Sequence, residues 1–246
     1  SGSGGNGGSS TVDGTVSIKG ARSTLAQEQL VAMRNDDINV QFQYNVPYNK
    51  DQADIVGEVS GTASITHSNS MAVLQSTSSG SAFLRSVDSI RYFPGHEFAA
   101  EMTAVASSGA NGSAAWGVGD NGSTGDCVAF TVQNGVFGIL FKSNGVSQFI
   151  PQTSFNKDKA DGTGPSGKTI IPSNLNLYTI RGGWYDILSI SFGWYAGDDG
   201  GYITLHTIDK TNQQQQPHLS NPTLPMFVEV SGTATISTAS WRGGIC

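Results

Sequence analysis

The chain has 246 residues, enough for one large β-sandwich or two small domains. Charged side chains make up only 13%, against about 25% in an average soluble protein, and the net charge is −6 with 13 basic residues scattered singly. A phosphate-tracking surface is thereby excluded, since it needs clustered Lys and Arg, and an apolar fraction of 37% in short regular runs excludes disorder.

Residues 1–10, SGSGGNGGSS, form a Gly/Ser/Asn tract that can bury nothing. Thr11–Lys19 alternates weakly and predicts a short strand. Thr24 with Gln27 makes a capping-box pattern, and Ala26, Leu30 and Met33 share one face, which predicts a helix over Ser23–Met33. Asp37–Tyr48 alternates Ile38, Val40, Phe42 and Tyr44 against polar neighbours and predicts a strand that stops at Pro47. Residues 11–57 are therefore expected to be an arm that docks to a partner or to copies of this chain, the alternative being that its helix and strand pack on the sandwich of their own chain, and 58–246 to be the body.

From Glu58 onward the pattern is strand, turn, strand. The segment Cys127–Ile150 reads CVAFTVQ, Asn134-Gly135, VFGILFKS, Asn144-Gly145, VSQFI. Asn-Gly in a two-residue loop marks a type I′ hairpin, because both central residues need φ > 0. That loop pairs Gln133 with Val136, Val132 with Phe137, Phe130 with Ile139 and Val128 with Phe141, so six apolar side chains share one face. Further strands are expected at Ser81–Ser86, Glu97–Val105, Tyr178–Arg181, Ile187–Trp194, Tyr202–Ile208, Met226–Val230 and Thr233–Ser237. Strands at this spacing without intervening helices predict an all-β, antiparallel sandwich, of jelly-roll or concanavalin-like type.

Several phrases recur in order: Arg91-Tyr92-Phe93-Pro94-Gly95, Glu101-Met102-Thr103-Ala104, Trp116-Gly117-Val118-Gly119-Asp120, Phe137-Gly138-Ile139-Leu140, the Asp161–Gly167 loop, His206 with Asn212, and Asn221-Pro222-Thr223-Leu224-Pro225. Over roughly residues 60–240 they resemble the β-sandwich structural proteins of tailed phages and large DNA viruses, which serve as capsid-associated, spike, fibre or tail components. The resemblance implies an oligomeric virion protein that contacts other virion proteins and contributes to host attachment, with no catalytic residues to carry over.

The chemistry-bearing residues point the same way. Ser166 sits in Gly-Pro-Ser-Gly, not a nucleophile elbow. Glu97, Glu101 and Glu229 are the strand-borne carboxylates, but Glu97 and Glu101, four residues apart on one strand, stand about 13 Å from each other, too far for a retaining glycosidase pair. Asp120 to Asp126 is an oxygen-rich loop, and Asp120 and Asp126 are weak calcium candidates. The four histidines lack zinc spacing, and His206 is expected to be a hydrogen-bonded structural residue. Trp184 and Tyr185, and Trp194 and Tyr195 leading to Asp198 and Asp199, set aromatic planes near carboxylates, as on a sugar-holding surface; the opposing expectation is that the tryptophans plug the core. Asn111 and Asn121 begin Asn-Gly-Ser sequences and are expected to be turns. Cys127 and Cys246 are expected as free thiols. No enzyme, cofactor, nucleic-acid or membrane-inserting function is expected; the alternatives to a virion role are an extracellular carbohydrate-binding module and, more weakly, a glycan hydrolase.

Overall fold

The computed structural model describes the backbone of residues 39–45 and, in full, residues 55–91, 93, 95–120, 125–143, 145–183, 189–197, 201–211, 213, 215, 217 and 219–245. Ile38–Cys246 make one compact unit. Its strands are β1 (Asn39–Asn45), β2 (Ile55–Ser60), β3 (Ser64–Ser68), β4 (Met71–Ser76), β5 (Ser81–Ile90), β6 (Glu97–Ser108), β7 (Ser113–Gly119) and β8 (Cys127–Gln133) in the first half. The second half adds β9 (Val136–Ser143), β10 (Val146–Pro151), β11 (Asn176–Gly183), β12 (Ile190–Tyr195), β13 (Tyr202–Ile208), β14 (Leu224–Ser231), β15 (Ala234–Thr238) and β16 (Ser240–Ile245).

These strands form two antiparallel sheets. A seven-stranded sheet runs β10-β9-β8-β7-β14-β5-β2; a nine-stranded sheet runs β13-β12-β11-β6-β15-β4-β3, with β16 also on β6 and β1 on β16. β6 is long enough to serve two neighbours on one side: Phe98–Met102 pairs with β16 and Val105–Ser108 with β15. The all-β antiparallel sandwich expected from the sequence is the observed architecture.

The β8–β9 hairpin follows the expected register residue by residue, from Gln133 opposite Val136 to Val128 opposite Phe141. Asn134 and Gly135 have φ of 52° and 80°, the two positive values a type I′ turn requires. Val128, Phe130, Val132, Phe137, Ile139 and Phe141 are all buried, a contribution on the order of 10 kcal/mol before chain entropy is subtracted. Facing them from the nine-stranded sheet are Phe98, Met102, Tyr178, Ile180, Phe192 and Trp241, in one continuous core. Asn111, with φ of 59°, sits in the turn between β6 and β7, as expected of it.

Several expectations need correction. The domain boundary drawn between residues 57 and 58 cuts through β2, which pairs along its length with β5. Of the expected docking arm, Asn39–Asn45 is a strand of the sandwich, antiparallel to β16; the Thr11–Lys19 strand and the Ser23–Met33 helix lie outside the described residues, as do Asn121 and Cys246. Tyr202, Thr204, His206 and Ile208 do not share one face. Phe192 pairs with His206 and Gly193 with Thr204, so Leu205 is an extra residue that reverses the alternation. Leu205 and Ile208 consequently enter the core. Strands β2, β3, β4, β7 and β16 carry no individual sequence signal, because their Gly, Ser and Ala content weakens the period-2 pattern.

Candidate functional site

Alternation along a strand divides each sheet into an inner and an outer face. On the seven-stranded sheet Ala82, Leu84, Trp116, Val128, Phe130, Met226 and Val228 belong to the main core, so their neighbours Phe83, Ala115, Ala129 and Phe227 face outward, where with Cys127 they form a second, smaller apolar cluster. Register then sets outward side chains in rows across the strands. One row runs Glu58, Phe83, Glu229, Ala115, Thr131. The next runs Ser60, Ser81, Ser231, Ser113, Gln133. On the other side of the first row Arg85 stands opposite Phe227, whose ring stacks on Phe83 at 6.1 Å and 26°.

Where β2, β5 and β14 lie side by side, these rows line a groove of about 200 Å³ bordered by Glu58, Ser60, Ser81, Phe83, Glu229 and Ser231. Ser60, Ser81 and Ser231 are exposed, as is Glu58. Glu229 is partly covered; burial pushes its carboxyl above the usual carboxylate range, and the Lys142 ammonium offsets part of that rise. Cys127 is a free, buried thiol whose ionisation burial suppresses, so it offers no nucleophile.

Asp120 and Asp126 come together at one end of this sheet, where the β7–β8 and β13–β14 connections meet. The buried Asp126 accepts hydrogen bonds through Oδ2 from Ser220 Oγ (2.8 Å) and the Asn221 backbone N–H (2.6 Å). Asn221 Nδ2 donates to Asp120 Oδ2 at 3.3 Å. Both carboxylates are thus engaged in joining two loops. Among the described residues no three His, Cys, Asp or Glu side chains group as metal ligands; residues 121–124 lie outside the described set.

The aromatic candidates divide. Trp194 is 6% exposed and belongs to the main core, its Nε1 donating to Asn176 Oδ1 at 3.0 Å, so it is no sugar-stacking plane. This corrects the surface expectation for Trp194 in favour of the core-plug one. Tyr195 faces out from the nine-stranded sheet, half-buried, edge to face with Tyr202 at 5.4 Å. Trp184, Tyr185, Asp198 and Asp199 lie outside the described residues.

Glu101 is buried on that same outer face, 3.9 Å from Arg181 Nη2 and 3.7 Å from Arg242 Nη1. Burial raises its pKa and the two guanidiniums, Arg242 more than Arg181, offset this. Glu101 and Glu229 therefore face outward from opposite sheets with the core between them, and Glu97 lies on the same strand as Glu101; neither Glu97 nor Glu101 can combine with Glu229 as a catalytic pair. Ser166 serves its own loop: its N–H donates to Asp158 Oδ2 at 2.7 Å, and its Oγ accepts from the Lys168 N–H at 3.2 Å. The buried Asp158, which also accepts from the Ala160 N–H, organises a loop whose sequence signals are glycine and proline alone. His206 is the hydrogen-bonded structural residue expected of it, its Nδ1 accepting from the Asn156 N–H at 3.2 Å, and burial lowers its pKa.

The chain matches no family model and no curated protein, whereas solved structures share its architecture. A β-1,3-1,4-glucanase (lichenase) derived from a mouse hindgut metagenome superposes with a TM-score of 0.54 at 9% identity, covering 82% of this chain and 98% of that one. A point mutant of the Emp46p carbohydrate recognition domain gives 0.52 at 7% identity, covering 84% and 97%. Arcelin-5, a lectin-like defence protein from Phaseolus vulgaris, gives 0.50 at 11% identity, covering 83% and 98%. None of these is described as a virion component. At such identities the likeness concerns the fold alone, and it identifies the molecule as a β-sandwich with the legume-lectin-like fold.

Proposed function

We propose that this protein is a non-catalytic carbohydrate-binding module that lays a glycan across β2, β5, β14 and β7 on the outer face of the seven-stranded sheet. The observation that carries this reading is the row Ser60, Ser81, Ser231, Ser113, Gln133 running beside the row Glu58, Phe83, Glu229. Each serine hydroxyl both donates and accepts, which matches the hydroxyls of a sugar. Neighbouring strands lie about 4.8 Å apart, so an extended glycan crossing them meets one polar side chain per strand. The lectin-like architecture agrees with this use of the face.

Magnitudes favour weak binding. Four hydrogen bonds at about 0.5–1.5 kcal/mol net each supply roughly 2–6 kcal/mol, which corresponds to dissociation constants in the millimolar range and somewhat below. Hydrolysis is disfavoured because Glu58 and Glu229 stand on the two strands either side of β5, two strand spacings or roughly 10 Å apart, at the limit of an inverting pair and well beyond a retaining one.

Titration calorimetry against a panel of soluble oligosaccharides tests the reading. The double variant Ser81→Val, Ser231→Val should lose about tenfold or more in affinity, with its thermal midpoint little changed because both side chains are exposed. Binding at full strength by that variant would remove the serine row from the site.

A further inference from the structure

We propose that Asn134-Gly135, the loop of the β8–β9 hairpin, is a site of spontaneous deamidation to aspartate and isoaspartate, and that the Ser108 hydroxyl restrains it. This modification needs no ligand and is independent of the carbohydrate-binding reading.

The sequence holds five Asn-Gly pairs, and the structure describes both residues of two of them, Asn111-Gly112 and Asn134-Gly135. An asparagine followed by glycine is labile because the next backbone nitrogen has no side chain beside it to hinder attack on the asparagine amide. The Gly135 nitrogen bonds to Asn134 Cγ, the Cγ–Nδ2 bond breaks, and the Gly135 proton leaves with the departing ammonia, closing a cyclic succinimide. Water then opens the ring, giving aspartate where the bond to Cγ breaks and isoaspartate where the bond to the backbone carbonyl carbon breaks. No oxidant or reductant takes part.

Both asparagines are exposed in left-handed conformation, with φ of 59° at Asn111 and 52° at Asn134. The glycines that follow set them apart. Gly112 is buried, its N–H donates to the Gly109 carbonyl at 3.2 Å, and its Cα lies so close to the Thr233 carbonyl that a Cβ would not fit. The Asn111 carbonyl oxygen is pressed against Gly232 in the same way. That peptide is wedged against the β14–β15 turn and cannot swing into a ring. Gly135 is exposed, and among the described residues a Cβ there would have only the Ser108 carbonyl oxygen nearby, at 3.7 Å. The Asn134 N–H is anchored on the Gly112 carbonyl at 2.8 Å, whereas the Gly135 N–H, the nucleophile, donates to the Ser108 Oγ at 3.0 Å. A side-chain hydroxyl therefore holds the attacking nitrogen at an exposed loop tip, where local opening costs little. Aspartate at this position keeps the loop, since Asp-Gly suits a type I′ turn as Asn-Gly does. Isoaspartate threads the main chain through Cβ, lengthens the loop and releases the Gln133–Val136 end of the register.

The test warms the purified protein in mildly alkaline buffer and follows each asparagine in time by peptide mapping, with isoaspartate identified by an isoaspartyl methyltransferase. Asn134 should convert while Asn111 stays intact; in concentrated urea, where the fold is gone, the two should convert at similar rates. Ser108→Ala should speed native-state conversion at Asn134 about two- to tenfold, the factor of one ordinary hydrogen bond, and leave Asn111 intact. A general loosening of the fold would instead speed both sites, so Asn111 reports whether the hydroxyl acts on Gly135 alone. Three results would each overturn the inference: native-state conversion of Asn111 as fast as that of Asn134; no detectable conversion of native Asn134 by the time the urea-unfolded chain has converted completely; or a Ser108→Ala rate at Asn134 that is unchanged or is raised equally at Asn111. A difference between the two sites that persists in urea would place its cause in the local sequence and refute the role given to the fold.

Discussion

Phe130→Ala gives the most direct test of how the two sheets hold each other. Phe130 is 0% exposed, and its ring touches both layers: Trp116 and Phe137 of its own sheet at centroid distances of 6.0 Å each, and Tyr178 and Phe192 of the opposite sheet at 4.9 and 5.4 Å. Truncating such a ring costs its transfer free energy plus the cavity left behind, about 3–5 kcal/mol for Phe→Ala. Edge-to-face and tilted aromatic pairs add about 0.5–1.5 kcal/mol each beyond area burial, which places this site at the upper end. For a domain of this size about 2–4 °C accompanies each kcal/mol, so the midpoint should fall by roughly 10–20 °C. Urea unfolding should show a lower transition midpoint with an unchanged slope, since the same surface is exposed on unfolding. Val136→Ala in the same hairpin, at a residue 46% exposed, serves as the control and should move stability by about 0.5 kcal/mol or less. A loss below about 2 kcal/mol in Phe130→Ala would refute the packing argument, because no well-packed core ring is removed so cheaply.

Two further outcomes follow from buried titratable groups. Burial raises the Glu229 pKa above its ordinary 4.5, so the stability linked to its proton is fully present below pH 4.5 and is lost as pH rises through the raised folded-state value; Glu229→Gln should flatten the urea midpoint over that window, and an unchanged pH slope would contradict the assignment. Cys127 is buried and its ionisation suppressed, so a thiol reagent should label it only as fast as the protein unfolds; rapid labelling of Cys127 in the native protein, located by peptide mapping, would show that the outward cluster opens.

Local signals are legible in this sequence and long-range ones are not. The β8–β9 hairpin can be read down to its residue pairs because a two-residue Asn-Gly loop fixes register and six apolar side chains punish any slip. The bulge at Leu205 cannot, because one extra residue leaves the apolar pattern of β13 looking continuous until its partner β12 is known. Trp194 illustrates the same limit: an aromatic beside a turn suits a surface plane or a core plug equally, and only the Asn176 side chain, brought by β11, shows which one it is. Asp126 and Asn221 are held by a bond that spans 95 positions, so the sequence shows an oxygen-rich loop without the clasp it makes with the β13–β14 connection.

The serine row is hidden for a related reason. Ser60, Ser81, Ser113 and Ser231 each stand at a strand end, where serine looks like ordinary turn or surface chemistry. They become a row only when four strands, contributed from across the chain, are set in register by the cores on their other faces. Alternation makes this coupling obligatory: burying Ala82, Leu84, Val228 and Val230 inward turns Ser81, Phe83, Glu229 and Ser231 outward together. A one-residue slip of β14 against β5 would bring core residues to the surface and dismantle the groove in the same step, so selection for a stable core also holds the polar row in place. The proposed binding face is therefore specified by the packing beneath it. That is why no short motif announces it, and why changes to its exposed hydroxyls should alter affinity while leaving the fold intact.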